Sequence, residues 1–323
     1  MNILQSTERT GYPSEYLLSR LSGRRVYFIK DWDRLLYSHD PYEALRGTKY
    51  TASVTPQTKG DVWKILLREY CWVYLQMDRG LRKVFQPYFV YAELKTLLTC
   101  LRYKTQKGST SEIEHLLTFS LLSDDVKDMM KTVQDLPLLL KTFEKKFLLP
   151  AGLSAGLARL FLKEGLAGVE QRLTVITFSW IMNRDLHQAM KRFFSLTADL
   201  KNIMTAWKHL RWSIMSEPVL FQGGRIRKSL LLKIIGNREI SEMIRFIHHY
   251  TGVIPQEPSL SHIEYVLLTG MTKQTRTLAR AYPEIGPVLD YLWRCSLEAM
   301  NISMVLYGQE IDSAVIKSEL IAS

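Results

Sequence analysis

AELKTLLTCLRYK (residues 92–104) and ADLKNIMTAWKHL (residues 198–210) are nearly the same sentence written twice, 106 residues apart. Ala, an acid, Leu and Lys recur in order, followed by an apolar pair, Thr and a basic residue. A weaker echo, EAMNISMVLYG (298–308), puts Asn301 where the others carry Glu93 and Asp199. The apolar residues recur at three- and four-residue steps: Leu94, Leu97, Leu98 and Leu101 in one stretch, Leu200, Ile203, Met204 and Trp207 in the other. That is the period of an α-helix with one face on a core. Lys95 and Arg102, like Lys201 and Lys208, fall off the stripe. The leucines are therefore core positions and not a cofactor box.

Working outward, SGRRVYFIKDWDRLLYSHDPYEALRGTKY (22–50) resembles GGRIRKSLLLKIIGNREISEMIRFIHHY (223–250). Each opens with a small residue, Gly and a basic cluster, runs through an apolar pair (Leu35-Leu36, Ile234-Ile235), and closes on Tyr50 or Tyr250. LLTFSLLSDDVKDMMKTVQDL (116–136) is a degenerate middle copy. With Glu93, Asp199 and Asn301 as equivalents the spacings are 106 and 102 residues, which predicts one helical unit used three times: 1–108, 109–216 and 217–323. The expected fold is all-α, three pseudo-repeated helical domains set side by side as a funnel with a concave central socket.

The rest of the chain reads the same way. Residues 61–86 place Trp63, Leu66, Tyr70, Val73, Met77, Leu81 and Phe85 at helical steps, predicting one helix of about seven turns, with Pro87 opening the next. Helical periodicity returns over 111–147, 156–212 and 228–250, the last closed by Thr251-Gly252 and Pro255. Gly (17) and Pro (11) are sparse, and alternation of period two nowhere exceeds four residues, so a turn-rich β architecture is excluded. No apolar run approaches the roughly 20 residues of a membrane span, and the first residues lack the pattern of a secretory signal. Cys71, Cys100 and Cys295 are few and far apart, as for free thiols in a reducing compartment.

The chain carries 43 Lys+Arg against 32 Asp+Glu, a net charge of +11. That suits an acidic protein surface, anionic lipid headgroups or nucleic acid. Catalytic signatures are missing. His248 and His249 are adjacent, so on a helix they point about 100° apart and do not chelate one metal. GGRIRKS (223–229) lacks the spacing of a phosphate loop and reads as a turn ahead of a helix. Glu298 reads as a buried or interface acid within a repeat motif. Catalytic residues, a metal, a cofactor and a small-molecule substrate are accordingly not expected.

The C-terminal stretch PEIGPVLDYLWRCSLEAMNISMVLYGQEIDSAVIKSELI (283–321) resembles the ending of the C subunit of archaeal and bacterial A/V-type ATPases, the family whose eukaryotic member is the d subunit of the V-ATPase. Tyr291, Glu298, Asn301 and Gly308 match that pattern, and GGRIRKSLLL is similar to the family's Gly-Gly lead into its third domain. The two earlier helices look like the family's other copies, which usually carry Asn where this chain has Glu93 and Asp199. The resemblance implies a three-domain helical coupling subunit without an active site, on the cytoplasmic face of the membrane. Its partners would be the central stalk and the membrane rotor ring, so that rotation is linked to proton or sodium transport. Arg24, Arg25, Arg225, Arg227 and Lys228 are the expected stalk or ring contacts; anionic headgroups are a further one. The competing reading is a basic, all-helical nucleic-acid-binding protein, suggested by charge and by Trp207, Trp212 and Tyr103 among basic residues. These aromatics sit on apolar helical faces, which argues against it.

Overall fold

The computed structural model describes residues 1–7, 10–51, 54–55, 58, 61–106, 110–255 and 259–321. Among these, all regular structure is helical, and extended backbone pairs only in two isolated bridges, Leu4 with Leu122 and Tyr12 with Met77. The all-α expectation holds. In chain order the helices are α1 (Ser14–Arg24), α2 (Trp32–Tyr37), α3 (Pro41–Ala44), α4 (Asp61–Gln76) and α5 (Arg79–Thr105). Then follow α6 (Thr110–Leu117), α7 (Asp124–Thr132), α8 (Leu136–Phe143), α9 (Leu157–Met182) and α10 (Gln188–Arg211). The last five are α11 (Lys228–Asn237), α12 (Ile240–Thr251), α13 (Leu260–Ala281), α14 (Gly286–Tyr307) and α15 (Ser313–Glu319).

Two expected boundaries are corrected. The single helix over 61–86 is two helices that part at Met77 and Asp78. Asp78 caps α5, its carboxylate accepting from the Leu81 amide at 2.7 Å, which satisfies one of the donors a helix start leaves free. The Tyr12 backbone bonds on either side of the break, its amide donating to Gln76 and its carbonyl accepting from Asp78. Pro87 does not open a helix but lies within α5, where it gives up one i→i−4 hydrogen bond. The long period over 156–212 likewise divides into α9 and α10, and α9 is interrupted at Gly165, whose φ of +69° is left-handed.

The chain forms two compact units. The first comprises residues 1–12 and 67–187; its core lies between α5, α8 and α9, with Tyr70, Tyr74, Tyr88 and Phe89 packed edge to face. Cys100 is buried there, and burial pushes its thiol up to about 12, so it behaves as a small hydrophobe. The second unit comprises residues 13–66 and 188–323. One core cluster in it joins Trp207 of α10, Leu231 and Ile234 of α11, Met243 and Ile247 of α12, and Ile263 and Val266 of α13.

In the second unit α13 and α14 pack most intimately. Gly286, the first residue of α14, sits so close to α13 that a Cβ would overlap the Leu278 carbonyl and Ala279 Cα. The obstacle is backbone, which cannot rotate away. Gly286→Ala therefore lowers stability by about 1–3 kcal/mol, read as a lowered thermal unfolding midpoint; an unchanged midpoint contradicts this packing.

Candidate functional site

Each of the three repeated helices carries one buried carboxylate that grips the opening of another segment. Glu93 of α5 accepts from the Leu121 amide at 2.6 Å and the Ser120 hydroxyl at 2.7 Å. Asp199 of α10 accepts from the amides of Arg225 (3.1 Å) and Ile226 (3.0 Å) and from the Tyr250 hydroxyl (3.0 Å). Glu298 of α14 accepts from the Ile29 amide (2.7 Å) and the Tyr50 hydroxyl (2.9 Å), and pairs with Lys49 at 2.6 Å. A buried carboxylate is stable when such donors converge on it. Here the amide donors come from the loop ahead of α7, the loop ahead of α11, and the segment between α1 and α2.

These bonds correct the register of the third copy. Glu298, and not Asn301, has the role of Glu93 and Asp199, so the spacings are 106 and 99 residues. Three residues further along, the roles match again in α10 and α14. Asn202 clamps the Phe221 backbone, its side-chain nitrogen donating to the carbonyl at 3.0 Å and its oxygen accepting from the amide at 2.6 Å. Asn301 does the same to Ile321, at 2.9 and 3.2 Å. In α5 the position is Thr96, which hydrogen-bonds Glu93. The motif is an acid followed three residues later by an amide or hydroxyl, on one face of a helix. Counted this way, the second copy carries Asn at 202 as the third does at 301, while the first carries Thr96.

The GGRIR loop owes its glycines to this site. Gly223 has a φ of +85°, and a Cβ on Gly224 would run into the Asp199 carboxylate. The loop does cradle an anion with backbone amides, as a phosphate loop does, but the anion is the protein's own. Tyr50 and Tyr250, seen in the sequence only as closing residues, are the hydroxyl donors. Sequence reasoning misses Asn202, Ser120 and Lys49; the recurrence of an acid and an amide at i and i+3 is the signal that marks the first of them.

Electrostatics separates Glu93 and Asp199 from Glu144. Burial pushes Glu93 up, outweighing its three hydrogen bonds and the charge of Lys127. Asp199 is likewise raised by burial, against the Ile226 and Arg225 amides and Tyr250. Glu144, half-buried, gains less from desolvation than it loses to the amides of Ala155, Gly156 and Leu157, and stays below the usual carboxylate range.

The remaining expected residues are placed as follows. Lys95 is exposed, and Lys201 lies over the Phe221 ring. Tyr291 is buried against Phe28, and Gly308 follows the end of α14. Of the basic residues, Arg25 donates to the Pro287 carbonyl and lies 3.5 Å from Asp290, and Lys228 donates to the Leu220 carbonyl. Both are tied inward. Arg24 is half-buried at the end of α1, and Arg225 and Arg227 are exposed. Trp207 is in the core, as its helical face predicts; Trp212 is not on such a face but 58% exposed just beyond α10. Among the described residues no helix is long and apolar enough to cross a membrane.

The recurring helices thus carry internal anchors, each holding a loop to its own helix. The family model of the ATP synthase (C/AC39) subunit matches residues 35–318, and the chain belongs to that family, a subunit of the A/V-type ATP synthase. A comparison with curated proteins gives no match.

Two tests follow from the anchors. Glu298→Gln removes the charge that faces the partly buried Lys49, at a cost of at most about 3–5 kcal/mol, and amide exchange accelerates across residues 26–50. Adding Lys49→Met restores part of the loss; no recovery contradicts an ion-pair origin. The second concerns pH. A carboxyl raised in the folded state contributes stability below its unfolded value and loses it as pH rises through the folded value. Glu93 therefore makes the protein less stable as pH rises above the ordinary carboxylate range, with a slope of at most about 1.4 kcal/mol per pH unit. Glu93→Gln flattens that part of the profile; a profile unchanged from wild type removes Glu93 as its source.

Proposed function

We propose that the protein is a non-catalytic coupling subunit of a rotary A/V-type ATPase or ATP synthase. It links the central stalk of the soluble ATP-handling head to the membrane rotor ring, on the cytoplasmic face, so that rotation drives or is driven by proton or sodium transport. Membership of the C/AC39 subunit family supports this reading. The observation that carries it is the set of three carboxylate anchors, each fastening a loop to a long helix through two or three hydrogen bonds. A part that transmits torque has to resist deformation between its two attachments, and buried, converging hydrogen bonds supply that resistance where apolar contacts alone would slide.

The threefold organisation, 1–108, 109–216 and 217–323 around a concave socket, belongs to the same proposal. It is supported by the order of the anchors: the first copy's acid holds the second copy's loop, the second's holds the third's, and the third's holds the first's. Arg24, Arg225 and Arg227 are the basic residues that suit an acidic stalk surface or anionic headgroups. Arg25 and Lys228 drop from that set because their side chains serve internal contacts.

The test is capture of the purified chain by the stalk subunits and by the detergent-solubilised ring of the same organism. Both are expected to be retained, with no nucleotide turnover by the chain alone. Arg227→Ala is expected to weaken capture by less than about 1 kcal/mol, an effect that fades at high salt. Capture of neither partner, both being folded, overturns the proposal.

A further inference from the structure

The second unit holds a pocket of about 280 Å³ walled by α10, α12, α13 and the loop ahead of α11. Its floor is apolar: Leu196 and Leu200 of α10 with Leu267 and Met271 of α13. Gly270 belongs to the same floor, where a Cβ would press on the Thr251 side chain at 3.2 Å. The rim is basic. Arg225, His249 and Lys273 are all exposed there, and none of the lining residues is an acid. The nearest carboxylate, Asp199, is turned to its own donors, the Arg225 and Ile226 amides and the Tyr250 hydroxyl. Arg225 thus serves the anchor through its backbone amide, and its guanidinium, whose charge also acts on Asp199, lines the pocket.

The dimensions narrow the occupant. A helix with its side chains is about 10 Å across, too wide for this volume, whereas one or two side chains fill it. An apolar floor below a cationic rim suits a negative group on a short aliphatic stem. We infer that the pocket receives a single acidic side chain of a protein partner, its carboxylate between Arg225 and Lys273 and its methylenes on Leu200, Leu267 and Met271. The inference rests on the coupling-subunit reading, which makes that partner part of the stalk. Charge complementarity and the size of the pocket are what favour a side chain over a larger ligand.

Butyrate reproduces the stem and charge of such a side chain, and butyramide the shape without the charge. With the methionine methyls labelled for NMR, butyrate is expected to shift the Met271 signal saturably in the millimolar range, while butyramide or sodium chloride at matched ionic strength does not. Lys273→Glu removes the shift, and Arg225→Gln, which retains the anchoring amide, weakens it. No saturation up to about 100 mM, or an equal shift with butyramide, overturns the site. In the capture assay Lys273→Glu is expected to lower stalk retention by about tenfold or more with ring retention and unfolding midpoint unchanged. Stalk retention unaffected by both Lys273→Glu and Arg225→Gln overturns the protein partner even if butyrate binds. If the wild-type chain retains neither stalk nor ring, the coupling reading fails on its own, and the butyrate titration still decides the pocket's chemistry.

Discussion

A carboxylate removed from water is costly unless donors converge on it, and that constraint orders this structure. At Glu93, Asp199 and Glu298 the donors are backbone amides of a loop, joined by a hydroxyl from Ser120, Tyr250 or Tyr50. The dependence runs both ways. The acid is tolerable only while the loop is docked, and the loop's amides are satisfied only while the acid is ionised or shared. Each anchor therefore ties a long helix to an opening segment that has little core of its own. Gly224 shows how tightly: the Asp199 carboxylate occupies the space a side chain would take.

The same interaction explains why residues 13–66 form one compact unit with 188–323 and not with the residues that follow them. Glu298 lies 269 residues from Ile29 and 248 from Tyr50, yet bonds both. Lys49, 13% exposed, brings the counter-charge, and its ammonium also lies over the Phe28 ring at 4.7 Å. Arg25 adds the Pro287 carbonyl and Arg294 meets Asp290 at 2.9 Å, so the polar groups at the start of α14 hold together with those after α1. Closing so long a loop costs entropy that grows only slowly with its length, so a few buried, charge-assisted bonds suffice to keep it closed.

The helical class was legible because it depends on period alone. The stripe of Leu94, Leu97 and Leu101 and that of Ile203 and Trp207 are buried as their spacing requires. The break at Asp78 was hidden: the apolar period runs through it, and what divides α4 from α5 is a cap and a backbone contact from Tyr12, distant in sequence. The register of the third copy was misread for a related reason. Similarity counted apolar residues, and EAMNISM fits either way, whereas the equivalence rests on which side chain accepts from a loop. The basic clusters divided because charge in a sequence does not reveal whether a side chain meets solvent or a carbonyl: Arg25 and Lys228 went inward, Arg225 and Arg227 did not.

The acid and the amide of the motif are not interchangeable, and the first copy shows why. A carboxylate offers only acceptors, so it suits several amides of a loop turning around it. An Asn offers an NH₂ donor group beside a carbonyl acceptor, and so pairs with both backbone groups of one residue, as Asn202 does with Phe221 and Asn301 with Ile321. Thr96 has no such pair of groups and turns to Glu93 itself. The first anchor thus lacks the backbone clamp, and Ser120 stands where the other anchors have a tyrosine. It also lacks the buried ammonium that Lys49 brings to Glu298. Its hydrogen-bond donors are neutral, and burial raises its carboxyl. On all three helices a carboxylate holds a loop, and the groups around it differ from one helix to the next.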